Sequence, residues 1–479
     1  MGASTVGGRY MAKKIELKRL RGMVGEANVI IDKGALENYS QDESRRELSF
    51  TPDVVVRPSS ADEISQIMRY ANEELVPVTV RGAGSGLAGA CLPIHGGIVI
   101  STERMTKIIE IDETNLVAVV EPGVITNDLC EEVEKRGLYY AGYPMSVETS
   151  TVGGNVACNA GGGTVMKYGN TGHHVLALEV VLPTGEVIEV GGKRRKDTNG
   201  YDLLHLFVQS EGTLGIFTRI TLNLLPLPGN RATLLAAFGT LKKAVEAAPR
   251  IIVESKVVPV SLELMDGLTV AHVSNFLDDR LPAQDVAGAY LIIQVEGNGE
   301  EELMSLGERI YDLCVKSGAE EVFLADNARD IARIWKFRMS VGDAFRARDP
   351  YVGLDEVVVP ISKISEMYEV IEEISRRYGI ECPVLGHIGD GNLHMGLIKP
   401  QTTDIDEWPT VLDQFLMEIY REAKRLGGSV SGEHGIGYTK KSFLRAVKSE
   451  EELAVMMRIK AALDPNYILN PGKIFDLDG

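Results

Sequence analysis

A glycine-rich stretch, Thr151–Gly163, constrains the fold more than any other part of the chain. It contains five glycines, and its other members are mostly small or β-branched. Such side chains fill a core poorly, whereas glycines let the backbone lie close to another molecule. We therefore expect this stretch to contact something large and flat.

The first glycine-rich loop in chain order, Gly84–Gly89, precedes that stretch and matches the G-x-G-x-x-G string of nicotinamide-binding folds. In those folds a helix begins at the glycines and directs its N-terminus at the pyrophosphate. Here Pro93 and a predicted strand, Gly97–Ser101, follow the loop, whereas the helix predicted from apolar spacing over Ala61–Leu75 precedes it. The nicotinamide interpretation therefore fails. An anion-binding loop of backbone amides and a tight turn between strands are the two alternatives that stay open.

Composition excludes several classes of protein. The 479 residues are 44% hydrophobic and 25% charged, as in ordinary globular proteins, and no apolar run reaches the roughly 18 residues of a membrane span. The net charge of −18 argues against a nucleic-acid partner. The five widely spaced cysteines predict neither disulfides nor an iron–sulfur or zinc site. Residues 1–10 are interpreted as an extension or a cloning remnant, and without an apolar signal core the expected compartment is a reducing cytoplasm.

Changes in glycine content and in predicted secondary structure divide the chain into four predicted parts. Residues 1–49 are predicted to form an N-terminal helical segment, and residues 50–228 are dense in glycine and strands. Residues 229–425 alternate strands with helices, which indicates an antiparallel sheet with helices on one face. Residues 426–479 are predicted to return and complete a functional site. The expected fold class is α+β.

Histidines in the segment 386–394 form the clearest candidate site. Asp390-Gly391 is a preferred pair for a two-residue hairpin turn, which would place His387 directly opposite His394. Cross-strand Cβ atoms on one face lie about 4.5–5.5 Å apart, so two imidazoles so placed could share one cation. Glu433 would complete a face of two histidines and one carboxylate and leave His434 free to act as a base. Histidines that are solvated, or satisfied by backbone carbonyls, are the alternative.

At these motifs the chain resembles the vanillyl-alcohol-oxidase-type FAD-binding fold. Pro77–Gly89 resembles the pyrophosphate loop, while Thr151–Gly163 and Ser210–Ile216 resemble the isoalloxazine and adenosine contacts. The closing Asn470-Pro471-Gly472-Lys473 resembles the signature of the branch with D-lactate dehydrogenase, the glycolate oxidase flavin subunit and D-2-hydroxyglutarate dehydrogenase. The FAD contacts implied by the resemblance are Arg81, Gly82, Ala83, Gly84, Ser85, Gly86, Pro144, Thr151, Gly153, Gly154, Asn155, Ala160, Gly161, Gly162, Gly212, Ile216 and Asn470.

The same resemblance implies a domain organisation. Residues 50–228 would be a two-part FAD-binding domain, residues 229–425 an antiparallel substrate (cap) domain, and residues 426–479 a segment that covers the FAD. Some relatives tether the flavin through a histidine in the first loop. Because this loop has none, noncovalent FAD is expected.

The resemblance also assigns the site residues. It implies that His387, His394 and Glu433 bind one divalent metal, zinc or iron, and that His434 contacts the substrate hydroxyl as the base. Arg338 matches an arginine that clamps the substrate carboxylate. From the residues alone, however, a solvated arginine is the favoured interpretation, because the surrounding helix carries much other charge.

The implied reaction is the FAD-dependent oxidation of a small D-2-hydroxy acid to the 2-oxo acid. Gly396 stands where the hydroxyglutarate enzyme has an asparagine that helps hold its substrate, which favours lactate, and then glycolate, over a dicarboxylate. The expected electron acceptor is a partner such as an electron-transferring flavoprotein or an iron–sulfur subunit. The alternatives are a D-2-hydroxyglutarate dehydrogenase, a non-redox ether-lipid synthase of the same fold, and a non-enzymatic electron-carrier subunit.

Overall fold

The computed structural model describes residues 15–325 and 327–476, so the interpretation of residues 1–10 lies outside the described part. Two compact units are found. The first takes the described residues up to Ala160, then Asn170–Leu227, and the residues from Glu433 onward. The second takes Gly161–Gly169 and Pro228–Gly432. The four-part division read from the sequence stays a prediction. Among the described residues, no helix has the length and apolarity needed to cross a membrane.

The secondary structure mixes helices and strands throughout the chain. The α-helices of the described residues are α1 (Leu17–Val24), α2 (Lys33–Glu37), α3 (Ala61–Glu74), α4 (Thr126–Glu134), α5 (Val152–Cys158), α6 (Val165–Tyr168), α7 (Leu203–Phe207), α8 (Leu241–Ser255), α9 (Gly267–Leu277), α10 (Glu300–Lys316), α11 (Ala328–Met339), α12 (Val341–Arg348), α13 (Ile364–Tyr378), α14 (Trp408–Arg425), α15 (Lys441–Val447) and α16 (Glu450–Leu463). The strands are β1 (Val29–Ile30), β2 (Val54–Val56), β3 (Val78–Arg81), β4 (Ile98–Ser101), β5 (Ile108–Asp112), β6 (Val117–Val120), β7 (Leu138–Tyr139), β8 (Val175–Val181), β9 (Val187–Gly191), β10 (Ile216–Asn223), β11 (Leu225–Pro226), β12 (Asn230–Phe238), β13 (Ser261–Asp266), β14 (Ala289–Gly297), β15 (Ala319–Ala325), β16 (Gly353–Val358), β17 (Val384–His387) and β18 (Asn392–Leu397).

In the first unit, helix α3 and strand β3 lead into the first glycine-rich loop. Ser60 accepts a hydrogen bond from the Glu63 N–H and so caps α3, while Leu75 ends the helix in the left-handed conformation with φ 54°. The predicted helix is thus confirmed to within one residue. Strands β2, β4 and β3 pair in parallel, with β1 antiparallel to β2 at the edge. The loop begins where the parallel strand β3 ends, an edge at which ligands commonly bind in sheets of this kind.

A second sheet of the first unit is wholly antiparallel, in the order β5-β6-β10-β8-β9. Strands β8 and β9 form a hairpin across a turn that contains Gly185, with φ 90°. Val120, Leu178 and Ile220 from this sheet are buried together with Val156 of α5. The second glycine-rich stretch is therefore attached to the sheet through its own helix.

The second unit is built on one antiparallel sheet of seven strands, in the order β15-β12-β14-β13-β17-β18-β16. The expectation that helices cover one face is wrong. Leu235 of β12 is buried with Phe337 of α11 and Phe345 of α12. Successive strand residues point to opposite faces, so Leu234 and its cross-strand partner Leu324 lie on the other face. On that face a Cβ added at Gly307 of α10 would lie 3.6 Å from the Leu324 side chain. Strand β12 is buried along most of its length because it is covered on both faces.

Candidate active site

The loop after β3 has the features of an anion site. None of the backbone N–H groups of residues 83–87 donates a hydrogen bond within the described part of the chain. Gly84 has φ 78°, and a Cβ added at Gly86 would meet no atom within 4 Å. Free amides beside open backbone suit a phosphate group. These features fit the pyrophosphate of FAD, and of the two interpretations left open by the sequence they favour the anion-binding loop.

Arg81 supports this loop from within. Its guanidinium donates to the backbone oxygens of Gln41 (2.8 Å) and Asn38 (3.4 Å), and the side chain is 8% exposed. A Cβ added at Gly84 would lie 2.1 Å from Arg81 Nη2, so a glycine is needed above the guanidinium. The two terminal nitrogens of Arg81 are thus occupied by protein carbonyls. A direct contact between Arg81 and FAD stays a prediction.

The stretch Thr151–Gly163 is more ordered than its composition suggests. Thr151 accepts a hydrogen bond from the Gly154 N–H and caps α5. A Cβ added at Gly153 would lie 2.5 Å from Pro122 Cβ, and the Asn155 amide donates to Thr126 Oγ1 at 2.7 Å. Gly153 and Asn155 therefore make close contacts inside the protein, and their contacts with FAD stay predictions.

Asn470 ties two of the predicted FAD-binding segments together. Its side-chain amide donates to the backbone oxygens of Ala90 (2.9 Å) and Glu211 (2.8 Å), directly after the first loop and directly before Gly212. The Lys473 ammonium donates to the Leu92 oxygen at 2.6 Å and to Asn470 Oδ1 at 3.2 Å. Burial lowers the pKa of Lys473 to about 7. The C-terminal signature therefore connects separate segments of the first unit through buried hydrogen bonds.

Glu211, which lies within the Ser210–Ile216 segment but was not itself predicted as a site residue, fixes the backbone just after His434. Its carboxylate accepts hydrogen bonds from the N–H groups of Ile436 (2.9 Å) and Gly437 (2.6 Å). Burial raises the pKa of Glu211, and these two hydrogen bonds oppose that effect. Gly435 has φ 83°, which favours glycine, and a Cβ added there would lie 3.1 Å from the same carboxylate.

The histidine hairpin of the second unit has a different register from the predicted one. His387 pairs with Asn392, and His394 pairs with Leu385, so the prediction that the two histidines lie directly opposite is wrong. The loop spans four residues rather than two, because the Asp390 N–H donates to the His387 oxygen and the Gly391 oxygen accepts from the Val359 N–H. The imidazoles nevertheless lie on one face as diagonal neighbours, with ring centroids 5.2 Å apart.

A buried carboxylate, Glu263, joins two of the predicted site residues. Its Oε1 lies 2.7 Å from His387 Nδ1, and its Oε2 accepts a hydrogen bond from Arg338 Nε at 2.8 Å. Glu263, His387 and Arg338 are 1%, 4% and 7% exposed, so the solvated arginine favoured by the residues alone is wrong. Burial raises the pKa of Glu263, but attraction to His387 and Arg338 and their hydrogen bonds outweigh it and lower the pKa to about 2.

A second buried carboxylate, Glu356, lies in register opposite His394. The Glu356 carboxylate and the His394 imidazole offer ligand atoms within 4.8 Å of each other. Glu356 also accepts hydrogen bonds from Asn392 Nδ2 (2.8 Å), Ser431 Oγ (2.6 Å) and the Gly432 N–H (3.1 Å). It therefore fixes the backbone immediately before Glu433.

The second unit thus brings together His387, His394 and Arg338, whereas the predicted residues Glu433 and His434 belong to the first unit. Sequence reasoning missed Glu263 and Glu356. The available signal was a single carboxylate at an inward position of an apolar strand, as in Leu262-Glu263-Leu264, because such a group has to find a partner when it is buried.

Comparisons with known proteins cover nearly the whole chain. Residues 227–474 match the family described as FAD linked oxidases, C-terminal domain, and residues 52–191 match the FAD binding domain. The glycolate oxidase subunit GlcD of Bacillus subtilis (strain 168) is 40% identical over 92% of this chain and 92% of that protein. D-lactate dehydrogenase of Anaerostipes hadrus is 34% identical over 94% of this chain and 95% of that protein. The crystal structure of p-cresol methylhydroxylase with substrate bound superposes with a TM-score of 0.81 over 97% of both chains, at an identity of 18% that shows the fold alone.

Proposed function

The chain belongs to the FAD-linked oxidases, in the branch with D-lactate dehydrogenase and the glycolate oxidase flavin subunit, and we propose that it oxidises a small D-2-hydroxy acid to the 2-oxo acid. It is an FAD-linked oxidoreductase with the vanillyl-alcohol-oxidase fold, which confirms the resemblance read from the sequence. D-lactate is the first candidate substrate and glycolate the second. The reducing cytoplasm inferred from cysteine usage is proposed as its compartment.

The buried array of Arg338, Glu263 and His387 supports this proposal most directly. Of the three guanidinium nitrogens of Arg338, only Nε is engaged by the described residues, because Glu263 accepts its hydrogen. The two terminal nitrogens form a fork that suits a carboxylate, and burial excludes water that would weaken the attraction. A substrate carboxylate held there would place the rest of a small acid near the imidazoles.

Each remaining group of the site has a proposed role in the oxidation. Bound FAD supplies the two-electron acceptor, and a divalent cation would supply a Lewis acid that lowers the pKa of the substrate hydroxyl. Arg338 binds the carboxylate and orients the acid, and His434 accepts the hydroxyl proton. His387, His394 and Glu433 would hold the cation, since imidazole and carboxylate donors suit zinc and ferrous iron alike. Glu356 is a further candidate donor, because its carboxylate faces His394.

A small monocarboxylate is favoured over a dicarboxylate by the surroundings of Gly396. This residue follows His394 on the same face of β18, and a Cβ added there would lie 2.5 Å from the Phe345 ring and 3.1 Å from Pro383. The ring of Phe345 thus occupies the space that a polar side chain would need. No group at this position can therefore bind a second carboxylate.

We propose noncovalent FAD and a protein electron acceptor. Acid precipitation should leave yellow FAD in the supernatant, because the loop of residues 81–89 offers no histidine for a covalent bond. The five cysteines described by the structure are free and widely spaced in the sequence, which argues against an internal iron–sulfur relay. An electron-transferring flavoprotein or an iron–sulfur subunit is the proposed acceptor.

The experiment that tests this function is steady-state oxidation of a panel of acids by the FAD-loaded protein with an artificial dye as acceptor. We expect D-lactate to be oxidised best, then glycolate, with L-lactate and D-2-hydroxyglutarate much slower. NAD should not replace the dye. Fastest turnover of D-2-hydroxyglutarate would overturn the substrate assignment, and no turnover of any acid would favour the ether-lipid synthase or the electron-carrier alternative.

A further inference from the structure

We propose that Glu263 is a positioning residue which selects the tautomer of His387 and, through its other oxygen, sets the orientation of Arg338. One carboxylate would thereby prepare both the cation-binding and the carboxylate-binding half of the site. This inference rests on the proposed function, because it takes His387 as a cation ligand and Arg338 as the substrate clamp. Glu263 itself would contact neither the cation nor the substrate.

The tautomer follows from hydrogen-bond chemistry. An ionised carboxylate can only accept, so the 2.7 Å contact between Glu263 Oε1 and His387 Nδ1 requires the proton on Nδ1. In this tautomer the lone pair is on Nε2, which is the form of imidazole that can bind a cation through that atom. Carboxylates placed behind ligating histidines in this way commonly fix the ring and raise its basicity. Ser261 Oγ donates to the same carboxylate oxygen at 3.1 Å and restrains it further.

The orientation of Arg338 follows from the other oxygen. Glu263 Oε2 accepts from Arg338 Nε at 2.8 Å, which holds the guanidinium plane by its inner edge. The fork of terminal nitrogens then points away from Glu263. Because Glu263 is 1% exposed, neither hydrogen bond competes with bulk water.

The sheet fixes where Glu263 lies. Glu263 pairs with His387 across β13 and β17, and with Ile292 on its other side. The carboxylate is therefore positioned by backbone hydrogen bonds of two neighbouring strands. A shift of one residue in this register would move Glu263 to the opposite face of the sheet.

The substitution Glu263→Gln tests whether Glu263 selects the tautomer of His387 or only balances the positive charge of Arg338. Arg338 always donates, so the amide oxygen of Gln should turn to Arg338 and leave the amide NH₂ facing His387. An NH₂ group donates to Nδ1 and forces the proton onto Nε2, the nitrogen proposed to bind the cation. Glu263→Gln should therefore weaken cation binding although the side chain keeps its shape and one hydrogen bond to Arg338.

The test is competition for Zn²⁺ or Co²⁺ between a chelator and the FAD-loaded protein. We expect Glu263→Gln to bind the cation about 10–100-fold more weakly, as is typical when a group behind a ligand is changed. The matched control is Asp464→Asn, which removes the carboxylate of another buried ion pair, that with Lys460 at 2.6 Å. The control should keep the wild-type cation affinity, and both variants should keep FAD.

The outcomes distinguish this inference from the proposed function. If wild-type protein binds no cation, the cation site of the proposed function fails, and the inference fails with it. If wild-type protein binds a cation and Glu263→Gln binds it equally well, the inference alone is wrong. Should Glu263→Gln not fold, Glu263→Asp keeps the charge and withdraws the oxygens by one methylene. That variant should also bind the cation more weakly, and unchanged affinity would overturn the inference.

Discussion

At the scale of residues, three buried carboxylates determine how the candidate site is held. Glu263 contacts His387 and Arg338, Glu356 holds the backbone before Glu433, and Glu211 holds the backbone after His434. A buried charge is tolerated only where hydrogen bonds or opposite charges compensate it, so each carboxylate requires a defined geometry of its partners.

Arg338→Lys should impair substrate binding. Lysine keeps the charge but has neither the Nε donor for Glu263 nor the planar fork for a carboxylate. We expect kcat/KM for the acid to fall by roughly 10- to 100-fold, the equivalent of losing a charged hydrogen bond of about 1.5–3 kcal/mol, mainly through KM. The control is Arg333→Lys on the same helix, since Arg333 pairs with Asp279 at the surface. Equal kcat/KM values for both variants would show that Arg338 does not bind substrate.

His434→Ala should slow reduction of the flavin more than it weakens substrate binding. A general base contributes in the transition state, by roughly 10²–10⁴-fold. Anaerobic stopped-flow reduction at saturating acid measures this step. A rate within about tenfold of wild type would exclude His434 as the base.

At the scale of elements, strands were more predictable than the turns that join them. The pattern of apolar residues predicts α3 and β4 to within one residue, because burial on a sheet or helix face leaves a periodic signal. The hairpin of β17 and β18 was predicted with a two-residue turn, because Asp390-Gly391 favours one locally. The Gly391 oxygen instead accepts a hydrogen bond from the N–H of Val359, which is distant in sequence, and the two-residue turn does not form.

The first glycine-rich loop gives a prediction for FAD. Gly86→Ala should leave the apoprotein as stable as wild type, because the added Cβ meets no atom within 4 Å. It should weaken FAD binding, because the methyl group stands where the pyrophosphate would approach. Gly22→Ala in α1 is the matched control, since a Cβ there is equally unobstructed and no FAD contact is proposed. Fluorescence titration of both apoproteins with FAD should show weaker binding for Gly86→Ala alone.

Strand β13 gives a prediction about pH. Burial raises the pKa of Asp266, which caps α9, to about 6, above the roughly 3.9 of an unfolded chain. The protonated form is thus favoured by folding, so the wild-type free energy of unfolding gains a contribution as pH falls through about 6 and loses it as pH rises. Asp266→Asn should lack this contribution. Its free energy of unfolding should therefore fall relative to that of wild type as pH falls from about 7 to about 5. Denaturant unfolding of the apoproteins between about pH 7 and about pH 5 should show the difference between them changing in favour of wild type; parallel curves would contradict the assignment.

At the scale of the whole molecule, the fold class and family could be predicted from separated motifs. The buried carboxylates that hold the site residues in place could not. The glycine-rich segments and the final Asn470-Pro471-Gly472-Lys473 are short contiguous motifs. Such motifs can be recognised without knowing which distant segments of the chain lie together. The roles of Glu263 and Glu356 depend on which strands pair in a sheet whose order is not the chain order. Helices on both faces of that sheet were missed for the same reason.

The measurement that tests the central claim most directly is anaerobic mixing of the FAD-loaded protein with D-lactate, read by flavin absorbance. Our account predicts that the flavin is bleached within a single turnover, without any partner protein, and that L-lactate bleaches it far more slowly. A flavin that stays oxidised with D-lactate, glycolate and D-2-hydroxyglutarate, yet is bleached by dithionite, would contradict the proposal that this chain oxidises 2-hydroxy acids.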